Sequence, residues 1–219
     1  MEETLSALRD MQRVDPSPAV LRQYSSTSKV RRMGENGENF AALVQAIRDS
    51  EDGGARYLGW LRQLSSAEAQ EIVILQGALG EPMFALKQRG RAFAAPLLSD
   101  GTLRFAAVAA AFFQPDRPTV LMIEELENSI HPSRLRLLME LLRAQAAEGG
   151  IQVFATTYSP IVLAWLKEEE YQSTFFCRRD EATGASIITP LTDVPGFIEI
   201  VRRQPISDLF SEGWLECAL

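Results

Sequence analysis

Two adjacent carboxylates, Glu124 and Glu125, follow directly after the apolar run Val120–Ile123. A continuous apolar run of this length is typical of a strand buried in a parallel sheet, and open α/β sheets bind their ligands at the carboxyl ends of such strands. Neighbouring carboxylates repel each other, and a cation or a catalytic water beside them makes the pair tolerable. The pair therefore predicts a cation-dependent hydrolytic site. The alternative is a strand that ends in a solvated acidic loop over residues 124–127.

The elements predicted around this pair alternate between strand and helix. Buried strands are expected over Thr119–Ile123 and Ile151–Ala155, with an amphipathic helix over Ser133–Glu148 between them. This alternation predicts an α/β fold with mostly parallel strands flanked by helices. A buried, alanine-rich helix is expected earlier, over Thr102–Phe113. Beyond the second strand the sequence predicts a helix over Ile161–Glu170, strands over Thr174–Cys177 and Ser186–Ile188, and a helical tail from Gly196.

The N-terminal part of the chain has a different pattern. Residues 1–33 are interpreted as a connecting region with a short helix over Thr4–Arg13. Helices are then expected over residues 38–50 and 57–64. Three short segments separated by Gly and Pro predict a small antiparallel region: Glu71–Gln76, Met83–Gln88 and Arg91–Ala95. We therefore divide the chain into a helical and small β region (1–95) and an α/β lobe (96–219).

The composition excludes several classes of protein. The 22 basic and 29 acidic residues give a net charge of −7, which excludes a nucleic-acid coat with a basic surface overall. Two distant cysteines and one histidine exclude a disulfide scaffold, a CxxC zinc site and a two-histidine motif. No signal peptide or membrane span is predicted, so we expect a cytoplasmic protein without membrane contact. The basic cluster within residues 22–32 is interpreted as a solvated loop, with a phosphate or DNA contact as the alternative.

Three ordered motifs resemble those of ATPases of the RecF/SMC/ABC type, in the OLD-like, AAA-type group. Residues 98–105, LSDGTLRF, look like the ABC signature at the start of a helix. Residues 124–132, EELENSIHP, resemble the Walker B stretch EEPENGLHP, and residues 154–160, FATTYSP, are similar to the TTHSP switch. The resemblance extends over most of residues 15–219. It implies the C-terminal part of such an ATPase head, without its Walker A lobe.

This resemblance implies roles for individual residues. Glu124 takes the position of the Mg²⁺-site acid, Glu125 that of the catalytic base, and Tyr158 that of the switch histidine. The implied signature residues, which face the γ-phosphate held by the opposite subunit of an ATP-sandwiched dimer, are Ser99, Asp100, Gly101 and Thr102. Asn128 lies in the loop that crosses the dimer interface. His131 is expected to order that loop and the start of the next helix. For Ser99 and Asp100 the alternative is a plain helix N-cap.

A phosphate-binding loop of the form GxxxxGK[ST] is missing from the sequence. Binding of ATP and Mg²⁺ is therefore expected only if a partner supplies that loop. The first hypothesis is a truncated or split ATPase subunit that acts as a homodimer or with a P-loop-bearing chain. Such a subunit would reach DNA through the complex, in DNA repair or phage defence. The second is a non-catalytic interaction module that has lost ATP binding. The third is a metal-dependent hydrolase or nuclease that uses Glu124, Glu125 and Glu127.

Overall fold

The computed structural model of the protein describes residues 10–26, 28–65 and 68–218. The chain forms two compact units, the first up to Thr157 and the second from Tyr158 onward. The division into a helical and small β region (1–95) and an α/β lobe (96–219) stays a prediction.

The first unit contains the following elements: β1 (Met11–Val14), α1 (Pro18–Leu21), α2 (Phe40–Arg48), α3 (Gly53–Leu64), β2 (Ala69–Gln76), β3 (Pro82–Gln88), β4 (Arg91–Ala94), α4 (Asp100–Phe113), β5 (Val120–Ile123), α5 (Pro132–Ala147) and β6 (Gln152–Ala155). The second unit contains α6 (Pro160–Leu163), β7 (Phe175–Arg179), β8 (Ser186–Pro190), α7 (Phe197–Ile200), α8 (Ile206–Ser211) and α9 (Trp214–Cys217). Short 3₁₀ turns cover Ala95–Leu97, Glu168–Ser173 and Leu191–Asp193.

A three-stranded parallel sheet in the order β1-β5-β6 positions the predicted site. The strands run level, since Val14 pairs with Ile123 and Ile123 pairs with Ala155. The α/β fold with parallel strands and accompanying helices is therefore confirmed, and α5 is the helix that connects β5 to β6.

The N-terminal strand corrects the interpretation of residues 1–33 as a connecting region. The predicted helix Thr4–Arg13 is wrong where it can be compared, because Met11–Val14 form β1 and pair with β5. The remainder of that helix, residues 4–9, lies outside the described residues. Side chains of β1 alternate between exposed and buried, as expected for a strand with one covered face.

Helix α4 forms the centre of the first unit, as its apolar sequence predicts. Every residue from Leu103 to Phe113 is buried. Helices α2 and α3 pack against α4 and against the antiparallel sheet β2-β3-β4. The Tyr57 hydroxyl on α3 donates a hydrogen bond of 2.8 Å to the carbonyl oxygen of Ala106 on α4. These contacts fix α4, whose first turn carries the signature-like residues.

Strand β6 differs from the prediction of a buried strand. Gln152, Phe154 and Ala155 are exposed, and Phe154 retains 49% of its accessible surface. Among the described residues, β6 pairs only with β5 and forms the edge of the sheet. An edge with little cover is unusual for a parallel strand, because such strands are normally covered on both faces.

The second unit has its own small core. Leu163, Leu191 and Phe197 belong to its buried cluster, and Tyr171 meets Phe197 edge-on with a centroid distance of 5.3 Å. Strands β7 and β8 form an antiparallel hairpin, so they do not extend the parallel sheet as the strand–helix alternation predicts. The predicted helix Ile161–Glu170 is reduced to α6 followed by a 3₁₀ turn, and the helical tail from Gly196 is confirmed.

Candidate functional site

The candidate site lies at the carboxyl edge of the parallel sheet. Because the three strands end level, Asp15, Glu124 and Thr156 follow them side by side. The Thr156 backbone continues the pairing beyond the strands, since its N–H donates to the Ile123 carbonyl at 3.1 Å. This edge is the position at which open α/β sheets bind ligands.

Glu124 makes an ion pair within the protein. Its Oε2 accepts a hydrogen bond of 2.8 Å from Nη2 of Arg13, and Nη1 of Arg13 lies 2.7 Å from Oε1 of Glu35. These partners raise the pKa of the Arg13 guanidinium above its ordinary value, first through the hydrogen bond to Glu124 and then through the charges of Glu124 and Glu35. An arginine side chain from β1 thus neutralises part of the charge of Glu124, and the role of Glu124 as a Mg²⁺ ligand stays a prediction.

Glu125 lies in a turn with an unusual backbone. It is exposed, and its φ of 44° lies in the left-handed region that non-glycine residues rarely adopt. Thr156 holds the turn in place, because its Oγ1 accepts from the Glu125 N–H at 3.1 Å and its carbonyl accepts from the Leu126 N–H at 2.9 Å. The carboxylate of Glu125 is therefore presented to solvent on a constrained turn.

Glu127 belongs to the same turn but has a different environment. Its Oε2 accepts a hydrogen bond of 2.6 Å from the Thr157 hydroxyl. Within the described ranges, no group of three or more His, Cys, Asp or Glu side chains is arranged to hold a metal ion. The three-carboxylate metal site of the nuclease hypothesis has no support from this arrangement.

The loop after Glu125 leads into α5. Ser129 has a φ of 59°, which explains why the motif it resembles has glycine at this position. His131 is the N-cap of α5, where its Nδ1 accepts from the Ser133 N–H at 3.3 Å. The ring thus orders the loop and the start of the helix, as the resemblance implies. Asn128 is exposed, and its N–H donates to the Glu125 carbonyl at 2.8 Å.

The signature-like residues open α4 and pack against this loop. Ser99 is the N-cap, since its Oγ accepts from the Thr102 N–H at 3.2 Å, and Asp100 makes an ion pair with Arg22. A Cβ added at Gly101 would lie 2.7 Å from the carbonyl oxygen of Ser129. The absence of a side chain at Gly101 therefore allows close contact with the 128–131 backbone within the same chain.

The surface beside this contact is concave. Ser99, Gly101 and Thr102 line a cleft of about 430 Å³ together with His131 and Arg134. The first turns of α4 and α5 both border the cleft, and the free N–H groups and dipoles of helix N-termini favour anions. Arg22 of the basic cluster makes its ion pair with Asp100 at the start of α4, whereas Lys29 and Arg31 are exposed, as expected for a solvated loop.

Tyr158 is the first residue of the second unit. It retains 77% of its accessible surface. The next residue, Ser159, caps α6 by accepting a hydrogen bond from the Ile161 N–H at 3.2 Å. The predicted action of Tyr158 together with Glu125 stays a prediction.

Sequence reasoning missed Arg13, Arg104 and Thr156. Arg104 is 1% exposed, and its guanidinium donates to the carbonyl oxygens of Glu124 at 2.8 Å and Glu125 at 3.1 Å. A single charged residue within the apolar stretch 103–113 is the sequence signal that could have identified it, since buried arginines require several partners.

Comparison with known proteins places the chain in a family. The family described as "AAA domain, putative AbiEii toxin, Type IV TA system" matches residues 38–164, more than half of the chain. The chain belongs to this AAA-domain family. The match confirms the resemblance of the chain to an AAA-type ATPase domain, and nucleotide and Mg²⁺ use is general in such domains. No curated protein matches the chain.

Two solved structures are similar to this AAA-domain chain at 13% identity. One comes from work on ATP-driven dimerization and DNA-stimulated activation of SMC ATPases. It aligns with 68% of this chain and 95% of its own length, with a TM-score of 0.43. The other is an Smc head domain with a coiled coil and joint from Pyrococcus yayanosii, which aligns with 68% of this chain and 28% of its own length, with a TM-score of 0.46. None of the helices in the described ranges has the length and apolar character of a membrane span.

Proposed function

We propose that these 219 residues supply the Walker B and signature elements of an ABC-type ATPase site whose phosphate-binding loop comes from outside them. One observation carries the proposal. Glu124 and Glu125 lie at the carboxyl edge of the parallel sheet, and the first turn of α4 packs against the loop that follows them. The acidic pair and the signature turn, which one chain would contribute to the two nucleotide sites of a sandwich, are thus already joined within this chain.

Within this site we assign Glu124 to the Mg²⁺ shell and Glu125 to the base that accepts a proton from the attacking water. A carboxylate oxygen is a ligand that Mg²⁺ prefers, so Glu124 fits this role once it exchanges Arg13 for the metal. Bound Mg²⁺ would supply charge neutralisation at the phosphates. Tyr158 is assigned to the γ-phosphate contact from its motif position, with its hydroxyl as the donor.

We assign the cleft beside α4 to a second nucleotide, held by the opposite subunit. Ser99, Gly101 and Thr102 present the N-terminus of a 14-residue helix to this cleft. Asp100 borders the same turn, and Asn128 lies on the exposed loop beside it. This arrangement supports a sandwich of two subunits, either a homodimer or a pair with a P-loop-bearing chain. The settings we infer, DNA repair or phage defence with DNA reached through the complex, rest on the resemblance alone.

The exposed edge of β6 supports the proposal that a further strand pairs with β6. A P-loop begins at the carboxyl end of a strand and leads into a helix. A strand added parallel to β6 would place such a loop beside Thr156, which already contacts the Glu125 turn. It would also cover Phe154, whose side chain is half exposed. We therefore assign the β6 edge as the side on which the phosphate-binding lobe completes the sheet.

The experiment first searches the upstream and neighbouring reading frames for GxxxxGK[ST], and then combines this chain with the polypeptide that carries it. ATP hydrolysis by the complex is compared with that of Glu125→Gln, and Glu199→Gln on the exposed side of α7 is the matched control. We expect Glu125→Gln to lower kcat by about 100-fold or more while ATP still binds, and the control to retain full activity. A Glu125→Gln complex as fast as the parent would refute the proposal.

A second candidate is the non-catalytic interaction module. The missing phosphate-binding loop favours it, because a chain without that loop lacks the backbone N–H groups that hold a triphosphate. The tyrosine at the switch position favours it as well. Calorimetry with ATP and Mg²⁺ discriminates between the two. Micromolar binding by the chain or its complex would count against the module, whereas no binding in either case would support it.

A further inference from the structure

Arg104 is a charged side chain in α4, whose other residues from Leu103 to Phe113 are all apolar. It is 1% exposed, and its neighbours on α4 from Phe105 to Phe113 are all buried. Burying a guanidinium is costly unless its donors are satisfied. Its Nε is buried without a hydrogen-bond partner. An apolar residue would fill this place at a lower free-energy cost of burial, so packing alone does not explain an arginine here.

The partners of Arg104 lie on two adjacent strand ends. Nη1 donates to Oδ1 of Asp15 at 2.9 Å and to the carbonyl oxygen of Pro16 at 3.0 Å, both just after β1. Nη2 donates to the carbonyl oxygens of Glu124 and Glu125 at 2.8 and 3.1 Å, just after β5. Because these acceptors include three main-chain carbonyls, Arg104 fixes the direction of the backbone at the site.

The same helix turn also holds the far end of the loop. Gly101 lies three residues before Arg104, on the same side of α4, and contacts the Ser129 carbonyl. Arg104 binds the loop where it begins, at Glu124 and Glu125, and Gly101 contacts it near its end. One face of α4 therefore sets the position of the acidic turn relative to the signature residues.

We propose that Arg104 is a positioning residue that couples the signature turn of α4 to the Glu124–Glu125 turn. The catalytic consequence of this inference rests on the proposed ATPase function, whereas the positioning of the turn by Arg104 does not depend on that function. Lysine cannot replace arginine here, because a single ammonium cannot span the Asp15–Pro16 side and the Glu124–Glu125 side as the planar guanidinium fork does.

The first test uses the chain alone. Amide hydrogen exchange of the 123–131 segment is compared between the parent, Arg104→Lys, and the exposed control Arg136→Lys on α5. We expect exchange at least ten-fold faster in this segment for Arg104→Lys, with the β2–β3 hairpin unchanged. Uniform acceleration across the first unit would reveal a merely structural arginine and overturn the proposal, as would no change in the segment.

The second test uses the ATPase complex. We expect Arg104→Lys to lower kcat at least ten-fold with little change in KM for ATP, because the turn that carries the base moves and the phosphate-binding loop does not. If Glu125→Gln is inactive but Arg104→Lys is fully active, this inference fails alone. If Glu125→Gln is fully active, the proposed function fails, and the exchange experiment still decides the role of Arg104.

A milder variant guards against misfolding of Arg104→Lys. Asp15→Asn keeps the arginine and removes the one charged acceptor, whose side chain is 39% exposed. We expect it to remain folded and to accelerate exchange in the 123–131 segment by a smaller factor. Unchanged exchange in Asp15→Asn, together with an unfolded Arg104→Lys, would count against a positioning role.

Discussion

Replacement of Gly101 by alanine tests the contact between the signature turn and the loop after Glu125. The backbone of Gly101 is not in the left-handed region, so alanine adds a methyl group without forcing a new conformation. The added Cβ would lie 2.7 Å from the Ser129 carbonyl oxygen, whereas ordinary contacts begin near 3.4 Å. The loop must therefore retreat by about 0.7 Å. The obstacle is main chain, which cannot rotate away as a side chain would.

Two opposing effects set the magnitude. Alanine in place of glycine in a helix stabilises by about 0.5–1 kcal/mol. Overpacking against a fixed neighbour costs about 1–3 kcal/mol. The two ranges leave a net loss of about 0–2.5 kcal/mol for Gly101→Ala, and we expect about 1–2 kcal/mol because the obstacle is main chain. Gly59 on α3 is the matched control, because a Cβ there meets nothing within 4 Å. Gly59→Ala should gain about 0.5–1 kcal/mol from helix propensity alone.

Native-state hydrogen exchange of the α4 amides reads the stability of the first unit by itself. A loss of about 1–2 kcal/mol accelerates exchange about 5- to 30-fold, and the control should exchange more slowly than the parent. A Gly101→Ala protein that exchanges at the parental rate or more slowly would refute the contact. In that case the close approach of Gly101 to Ser129 would not constrain the loop.

Three further variants have expected outcomes. Tyr57→Phe should cost about 1 kcal/mol in urea denaturation at pH 7. Because burial raises the pKa of Tyr57 well above its ordinary value, the stability tied to its protonated form is lost only as the pH rises above about 10, where the phenylalanine variant should lose less. Asp10→Asn should cost about 1 kcal/mol at pH 7. The hydrogen bond from Arg32 lowers the pKa of Asp10. The stability difference between the parent and Asp10→Asn should therefore persist above about pH 4, and in acid denaturation it should vanish as the pH falls through the lowered pKa. Arg13→Gln should tighten Mn²⁺ binding to the ATP-bound complex in calorimetry, because it frees Glu124, and unchanged affinity would show that Arg13 and the metal do not compete for this carboxylate.

The elements with a strong local pattern could be predicted from the sequence. Helix α4 is apolar on every side, and three short segments separated by turn residues form the antiparallel sheet. The acidic pair after β5 could be located because an apolar run and two carboxylates lie together in the chain. In each case the information needed lies within a few neighbouring residues.

Strand β1 could not be predicted for the opposite reason. Its four residues are too few to show a period, and its pairing partner β5 lies more than 100 residues later. The ion pair of Arg13 with Glu124 depends on that pairing, so it could not be predicted from the sequence either. Strand β6 has an apolar sequence that indicates burial, but burial also requires a neighbour, and β6 pairs only with β5 among the described residues.

The role of Gly101 shows how a correct motif can have an unexpected local cause. The resemblance implies that Gly101 faces a phosphate, and the structure shows that its missing side chain lets the Ser129 carbonyl approach. Ser129 itself has a left-handed φ, which costs a non-glycine residue free energy unless its surroundings hold it. The loop is therefore held in a strained form by α4, through Gly101 at one end and Arg104 at the other. The signature residues and the Glu125 turn are both held by the first turns of α4. A ligand that bound to the signature residues and shifted α4 would therefore move the Glu125 carboxylate as well.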